Sequence, residues 1–234
     1  MVRPRRRRGH VGRSQGERFD SAYRVVKVLT GPLIRFEPEP VPAATEAALA
    51  GPAVIASNHR SMFDAIAAVR VLGAMGCNAR PLSAAWLWDV VGLGPVLDRL
   101  AAIPLGHGRA AMTAIDTAVA HVSGGGRVLV TPEGRIVAPE DRARGVGEGH
   151  KILSRIACAA EVPVVPAALV GTDVLWPLGR RLPVVRPWRR PIVRSSFGLP
   201  RRYDSLDHRG NVDASMADIS ALIDMLSGTT GALH

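Results

Sequence analysis

From residue 53 onward the chain alternates short apolar runs with stretches of helical periodicity, and this alternation limits its architecture more than any other feature. The runs AVIAS (53–57), ARPLSA (79–84), AAIPL (101–105), RVLVTP (127–132), VPVVPAALVG (162–171) and PIVRSSFG (191–198) predict strands. Helices are predicted over 61–75, 85–99, 109–123, 149–160 and 213–227. The order implies one α/β domain with a mixed, mainly parallel sheet flanked by helices. In such sheets the functional loops lie where a strand turns into a helix. NHRS after the first predicted strand and PEGR after the fourth both stand at that place. A chain of 234 residues with 47% hydrophobic content can bury one sizeable core.

Residues 1–18 read as a disordered basic arm carrying Arg3, Arg5, Arg6, Arg7, Arg8, Arg13 and Arg18. Residues 19–44 read as an amphipathic helix and a Pro/Ala linker, residues 45–205 as the main domain, and 206–234 as a C-terminal helix and tail. Phe19, Ala22, Val26 and Leu29 recur at helical spacing, so this helix either packs on the domain or serves, with the arm, as a foot on an anionic membrane. The net charge of +10, almost all of it Arg, points to a phosphate-bearing partner. No secretory signal or membrane span is expected, which places the chain in the cytoplasm, peripheral on the inner face of the cell membrane. Cys77 and Cys158 sit in apolar surroundings far apart and read as buried, reduced thiols. Metal spacing, GxGxxG, a P-loop and GxSxG are missing, and no nucleic-acid-binding signature accompanies the charge.

NHRSMFD at 58–64 admits two readings. Ser61-x-x-Asp64 before an apolar run forms a capping box, which needs no chemistry. With a helix starting at Ser61, His59 lies in the preceding loop and Asp64 can reach back to its imidazole. That contact orients a general base and balances the imidazolium it becomes. In VLVTPEGRI at 128–136, Glu133, Gly134 and Arg135 can hold a polyol phosphate, with Arg135 on phosphate, Gly134 allowing close backbone approach and Glu133 accepting from hydroxyls. A surface turn in which Glu133 pairs with Arg135 fits equally well. The apolar stretch 86–97, with Trp86, Leu87, Trp88, Val90 and Val91, is expected in the core, with an acyl pocket or lipid contact as the other reading.

These pieces, in this order and about seventy residues apart, resemble the PlsC-like glycerolipid acyltransferases. Asn58, His59 and Asp64 match the family's Asn-His-x-x-x-x-Asp motif, with Ser61 at a frequent family position. Pro132, Glu133 and Gly134 match its Phe-Pro-Glu-Gly-Thr-Arg motif. AEVPVVPAAL at 160–169 and SSFGLPRRYD resemble later segments, so the likeness covers roughly residues 45–205. Thr131 replaces the family's Phe, Arg135 stands one position early, and IPLGHGR offers His107 and Arg109 where the second motif has its Arg.

The resemblance implies a glycerol-3-phosphate acyltransferase-like fold and transfer of an acyl group from acyl-CoA or acyl carrier protein to a lysophosphatidate-like hydroxyl. His59 and Asp64 would be catalytic; Asn58, Ser61, Arg109, Glu133, Gly134 and Arg135 would bind substrate. A lysophospholipid acceptor and an anionic membrane surface are the implied partners, with no resident cofactor, metal or nucleic acid. A non-enzymatic basic protein that binds membrane or nucleic acid, or an acyltransferase for another acceptor, is the alternative.

Overall fold

The computed structural model describes residues 15–90, 93–144, 149–180, 182–184, 188–204 and 206–231. Its strands are β1 (Arg35–Pro38), β2 (Ala53–Ser57), β3 (Arg80–Ala84), β4 (Ile103–Leu105), β5 (Arg127–Val130), β6 (Val164–Val170) and β7 (Ile192–Phe197). They form one sheet in the order β1-β7-β6-β2-β5-β3-β4. Every neighbouring pair is parallel except β6 with β7. The helices are α1 (Gln15–Thr30), α2 (Ala43–Ala50), α3 (Asp64–Ala74), α4 (Gly94–Arg99), α5 (Arg109–Ser123), α6 (Ile152–Ala159), α7 (Thr172–Leu175) and α8 (His208–Gly231).

β2 shows why the sheet has helices on both faces. All five of its residues are buried, and they alternate between two cores. Val54 and Ala56 pack with Ala118, Leu153, Ile156 and Ile219, from α5, α6 and α8. Ala53 and Ile55 pack with Phe19, Ala67 and Leu72, from α1 and α3. A strand covered on both faces cannot show polar alternation, so it reads as an unbroken apolar run.

Several expectations need correction. The stretch read as a linker contains β1 and the start of α2, because β1 completes the sheet edge against β7. The expected helix over 85–99 breaks into a 3-10 turn at Ala85–Asp89 and the short α4. None of that turn's residues is buried, and Trp86 is 60% exposed, so the reading of this stretch as core fails there. Cys77 is buried as expected, whereas Cys158 is only half-buried, against α8. Helix α8 belongs to the main core through Val212, Met216, Ile219, Ile223 and Leu226. Residues 1–14 of the basic arm lie outside the described residues, and Gln15 to Arg18 open α1.

Helix α1 packs on α3 as one of the two sequence readings has it, along most of the expected stripe, with Tyr23 joining it and Leu29 left out. Phe19 is buried, and Ala22, Tyr23 and Val26 pack beside it, while Leu29 is 63% exposed. The Arg70 guanidinium lies over the Tyr23 ring, 5.7 Å from its centroid. A Cβ at Gly73 would fall onto that ring and reach 2.8 Å from the Tyr23 Cβ. Gly73→Ala is therefore expected to push α1 off α3 and cost about 1–3 kcal/mol, read as a lower denaturation midpoint.

Candidate active site

β2 lies between β5 and β6, and all three run the same way. The loops that follow them therefore emerge side by side, which is how segments about seventy residues apart in sequence come together. The Val137 N–H donates to the His59 carbonyl at 2.8 Å, tying the loop after β5 to the loop after β2. On the other side the Ser61 hydroxyl lies 3.0 Å from the Thr172 carbonyl and 2.8 Å from that of Trp176.

His59 and Asp64 meet. His59 Nδ1 is 2.9 Å from Asp64 Oδ2, and the same oxygen accepts the N–H groups of Arg60 at 2.7 Å and Ser61 at 2.8 Å. An oxygen that already takes two backbone donors is held as an acceptor, so the imidazole proton belongs on Nδ1 and the lone pair on Nε2. Asp64 is 4% exposed, whereas a quarter of the His59 side chain is open. The helix begins at Asp64 rather than Ser61, so the capping box is half made. Asp64 serves the Ser61 N–H, while the Ser61 hydroxyl accepts from Phe63 N at 3.0 Å and anchors to the loop after β6. One carboxylate oxygen thus both serves the backbone at the start of the helix and contacts the ring.

Glu133 lies beside this pair, at the end of β5. It is 3% exposed, and neither carboxylate oxygen has a hydrogen-bond partner among the described residues. It does not pair with Arg135, whose guanidinium lies 3.6 Å from Asp141 instead. Burial pushes the Glu133 carboxyl up to about 7, only partly opposed by nearby backbone N–H groups and the His59 ring, and the Asp64 charge adds to the rise. Below about pH 4.5 the carboxyl is protonated folded or unfolded, so it adds no penalty. Between about 4.5 and 7 the unfolded chain has lost that proton while the folded chain keeps it, so stability falls as pH rises. The loss amounts to about 3 kcal/mol across that window. Glu133→Gln should remove this component, which denaturant titrations of both proteins between about pH 4.5 and 8 will show.

The remaining expected substrate ligands divide. Asn58 is 1% exposed, with Nδ2 donating to the Leu169 carbonyl at 2.9 Å and Oδ1 accepting the Leu169 N–H at 2.8 Å. Both ends of its amide hold β6, so it fixes the loop. Ser61 is fully buried and its hydroxyl is bonded to backbone. Gly134 has φ +63, a left-handed turn that aims the loop back over the site. Arg135 is exposed beside this turn. Arg109 opens α5 after β4, on the same sheet edge but three strands from β2, or about 14 Å at ordinary strand spacing. Sequence reasoning missed His150, whose N–H donates to the Pro132 carbonyl at 2.8 Å and whose ring packs against Gly134. Nothing local in GEGHK marks it; only the fold brings it over the turn.

The family described as Acyltransferase matches residues 34–170, more than half of the chain. The chain belongs to this acyltransferase family. No curated protein sequence matches it significantly. Among solved structures it is similar to the 1-acyl-sn-glycerophosphate (LPA) acyltransferase PlsC from Thermotoga maritima, with 17% identity and a TM-score of 0.68. That match covers 92% of this chain and 84% of the other. At such identity the likeness speaks for the fold, and the acyltransferase shares the PlsC architecture. Its described helices include none long and apolar enough to cross a membrane.

Proposed function

We propose that this acyltransferase moves a fatty acyl group from a thioester, acyl-CoA or acyl carrier protein, to a hydroxyl of a lysophosphatidate-like glycerolipid. The observation that carries the reading is the 2.9 Å contact of His59 Nδ1 with Asp64 Oδ2, which leaves Nε2 as the proton acceptor. The acceptor hydroxyl gives its proton to Nε2 as its oxygen attacks the thioester carbonyl carbon. The tetrahedral intermediate collapses with rupture of the C–S bond, and the imidazolium returns its proton to the departing thiolate. Asp64 balances the positive ring meanwhile. A thioester is already activated, so the residues need only position and deprotonate.

Arg135 would meet the acceptor phosphate, with help from Arg109 at the start of α5, and Glu133 would accept from a glycerol hydroxyl. Holding phosphate and hydroxyl at once makes the attack effectively intramolecular. Similarity to a 1-acyl-sn-glycerophosphate acyltransferase supports the acceptor class. A screen of lysophosphatidate, other lysophospholipids and unphosphorylated polyols with both donor types tests the reading. Acyl transfer to a phosphorylated glycerolipid is the expected result, and transfer to none of them overturns it.

The acyltransferase would work as a peripheral protein on an anionic membrane, with the basic residues 1–14 adding attraction. Deletion of that arm is the right test for its part, because α1 contributes Phe19 to the core and cannot be removed with it.

A further inference from the structure

Residues 174–192, VLWPLGRRLPVVRPWRRPI, contain five Arg and no Asp or Glu. The segment joins the end of β6 to the start of β7. Because these strands are antiparallel, with Val170 opposite Arg194, both of its ends lie at the sheet edge that carries His59. The Ser61 hydroxyl contacts the Thr172 and Trp176 carbonyls, so the segment departs directly from the candidate catalytic loop. At its far end Arg190 Nη2 donates to the Gly31 carbonyl at 2.6 Å and the Ile34 carbonyl at 3.3 Å, just past α1. Val184 N–H to the Leu175 carbonyl, 2.6 Å, and Trp176 Nε1 to the Arg180 carbonyl, 2.9 Å, brace it between.

The segment presents apolar side chains to water. Trp188 is 80% exposed and Leu182 75%, with Val174 and Leu178 also exposed, and Arg180 and Arg189 stand exposed among them. The same edge carries Leu29 near the end of α1 and, across the sheet, Trp86 after β3. Exposed Trp and Leu interleaved with Arg is the composition of the boundary between headgroups and acyl chains. There indole and aliphatic groups enter the lipid and guanidinium groups meet phosphate.

We infer that the described residues of this connection, 174–180, 182–184 and 188–192, form a bilayer-docking surface for anionic lipid, seating the His59 edge of the sheet at headgroup level. A lipid acceptor can then reach His59 without leaving the interface. This deepens the proposed function and rests on it for the purpose of the surface, but the binding itself is measured separately.

The experiment compares the full chain with Leu182→Ser/Trp188→Ser and with Arg180→Gln/Arg189→Gln. Co-sedimentation uses phosphatidylglycerol and phosphatidylcholine vesicles, and activity uses a short-chain lysophosphatidate below its micellar concentration. Wild type is expected to prefer phosphatidylglycerol. The Arg pair variant should partition about thirty-fold less at low salt, and the Leu/Trp variant about tenfold less at any salt. Both should keep wild-type rates on the monomeric acceptor. Quenching of Trp emission by brominated lipid should drop in Trp188→Phe.

Unchanged partitioning of both variants overturns the surface. So does an effect confined to carrier-protein donors, which would mark a protein dock, or to self-association without vesicles, which would mark a second copy. If wild type acylates no acceptor, the proposed function falls, while sedimentation still decides the docking surface.

Discussion

His59→Ala is expected to lower the acyl-transfer rate by about 10³-fold or more while leaving the fold intact. The ring is at the edge of the core, a quarter exposed, and its side chain bonds to Asp64. Removing it creates no large cavity, so the denaturation midpoint should move little. The rate falls because no other described imidazole meets Asp64, and without a base the hydroxyl must attack with its proton still on. Single-turnover kinetics on a thioester donor, alongside a denaturant titration, separate the two effects. A variant that keeps its rate removes His59 from the mechanism.

Asp64→Ala should lose both activity and stability, and the comparison with Asp64→Asn separates them. Asp64 Oδ2 accepts from His59, Arg60 N and Ser61 N, and the residue is nearly fully buried. Alanine leaves two backbone N–H groups without an acceptor at the start of α3, costing roughly 3 kcal/mol. That is a large share of the about 5–15 kcal/mol typical of a domain. Asparagine keeps an oxygen for those donors, so most of the stability should return. It carries no charge, so it cannot balance an imidazolium, and activity should stay depressed by about 10³-fold. Melting curves and rates measured on the same preparations check both halves. If the asparagine variant recovers its rate with its stability, Asp64 serves only as a cap.

The two segments of the candidate site are visible in sequence for local reasons. NHRSMFD and PEGR each follow an apolar strand, and each carries residue types suited to acid–base or phosphate chemistry as well as to an ordinary cap or turn. Their partnership is not local. It depends on β2 taking its place between β5 and β6, an order that no short-range pattern encodes. Asn58 and Ser61 show the same limit from the other side. Nothing in sequence shows which backbone groups they meet, and only the fold brings β6 and its following loop within their reach. The packing of His150 against the Gly134 turn escapes a sequence reading, because no neighbour of His150 in sequence specifies that turn.

Sequence by itself determined the α/β class, the six inner and edge strands from 53 onward, and the residues able to act as base and orienting acid. Those follow from hydrophobic runs, turn residues and side-chain chemistry, all written within a few positions. The tertiary structure decided which loops share an edge, that α1 packs on the domain with Tyr23 inward and Leu29 outward, and that β1 completes the sheet. It also decided that Trp86 and Trp188 face water while Glu133 does not. The physical reason is that burial, and with it the shift of the Glu133 carboxyl to about 7, is set by what the rest of the chain packs around a residue.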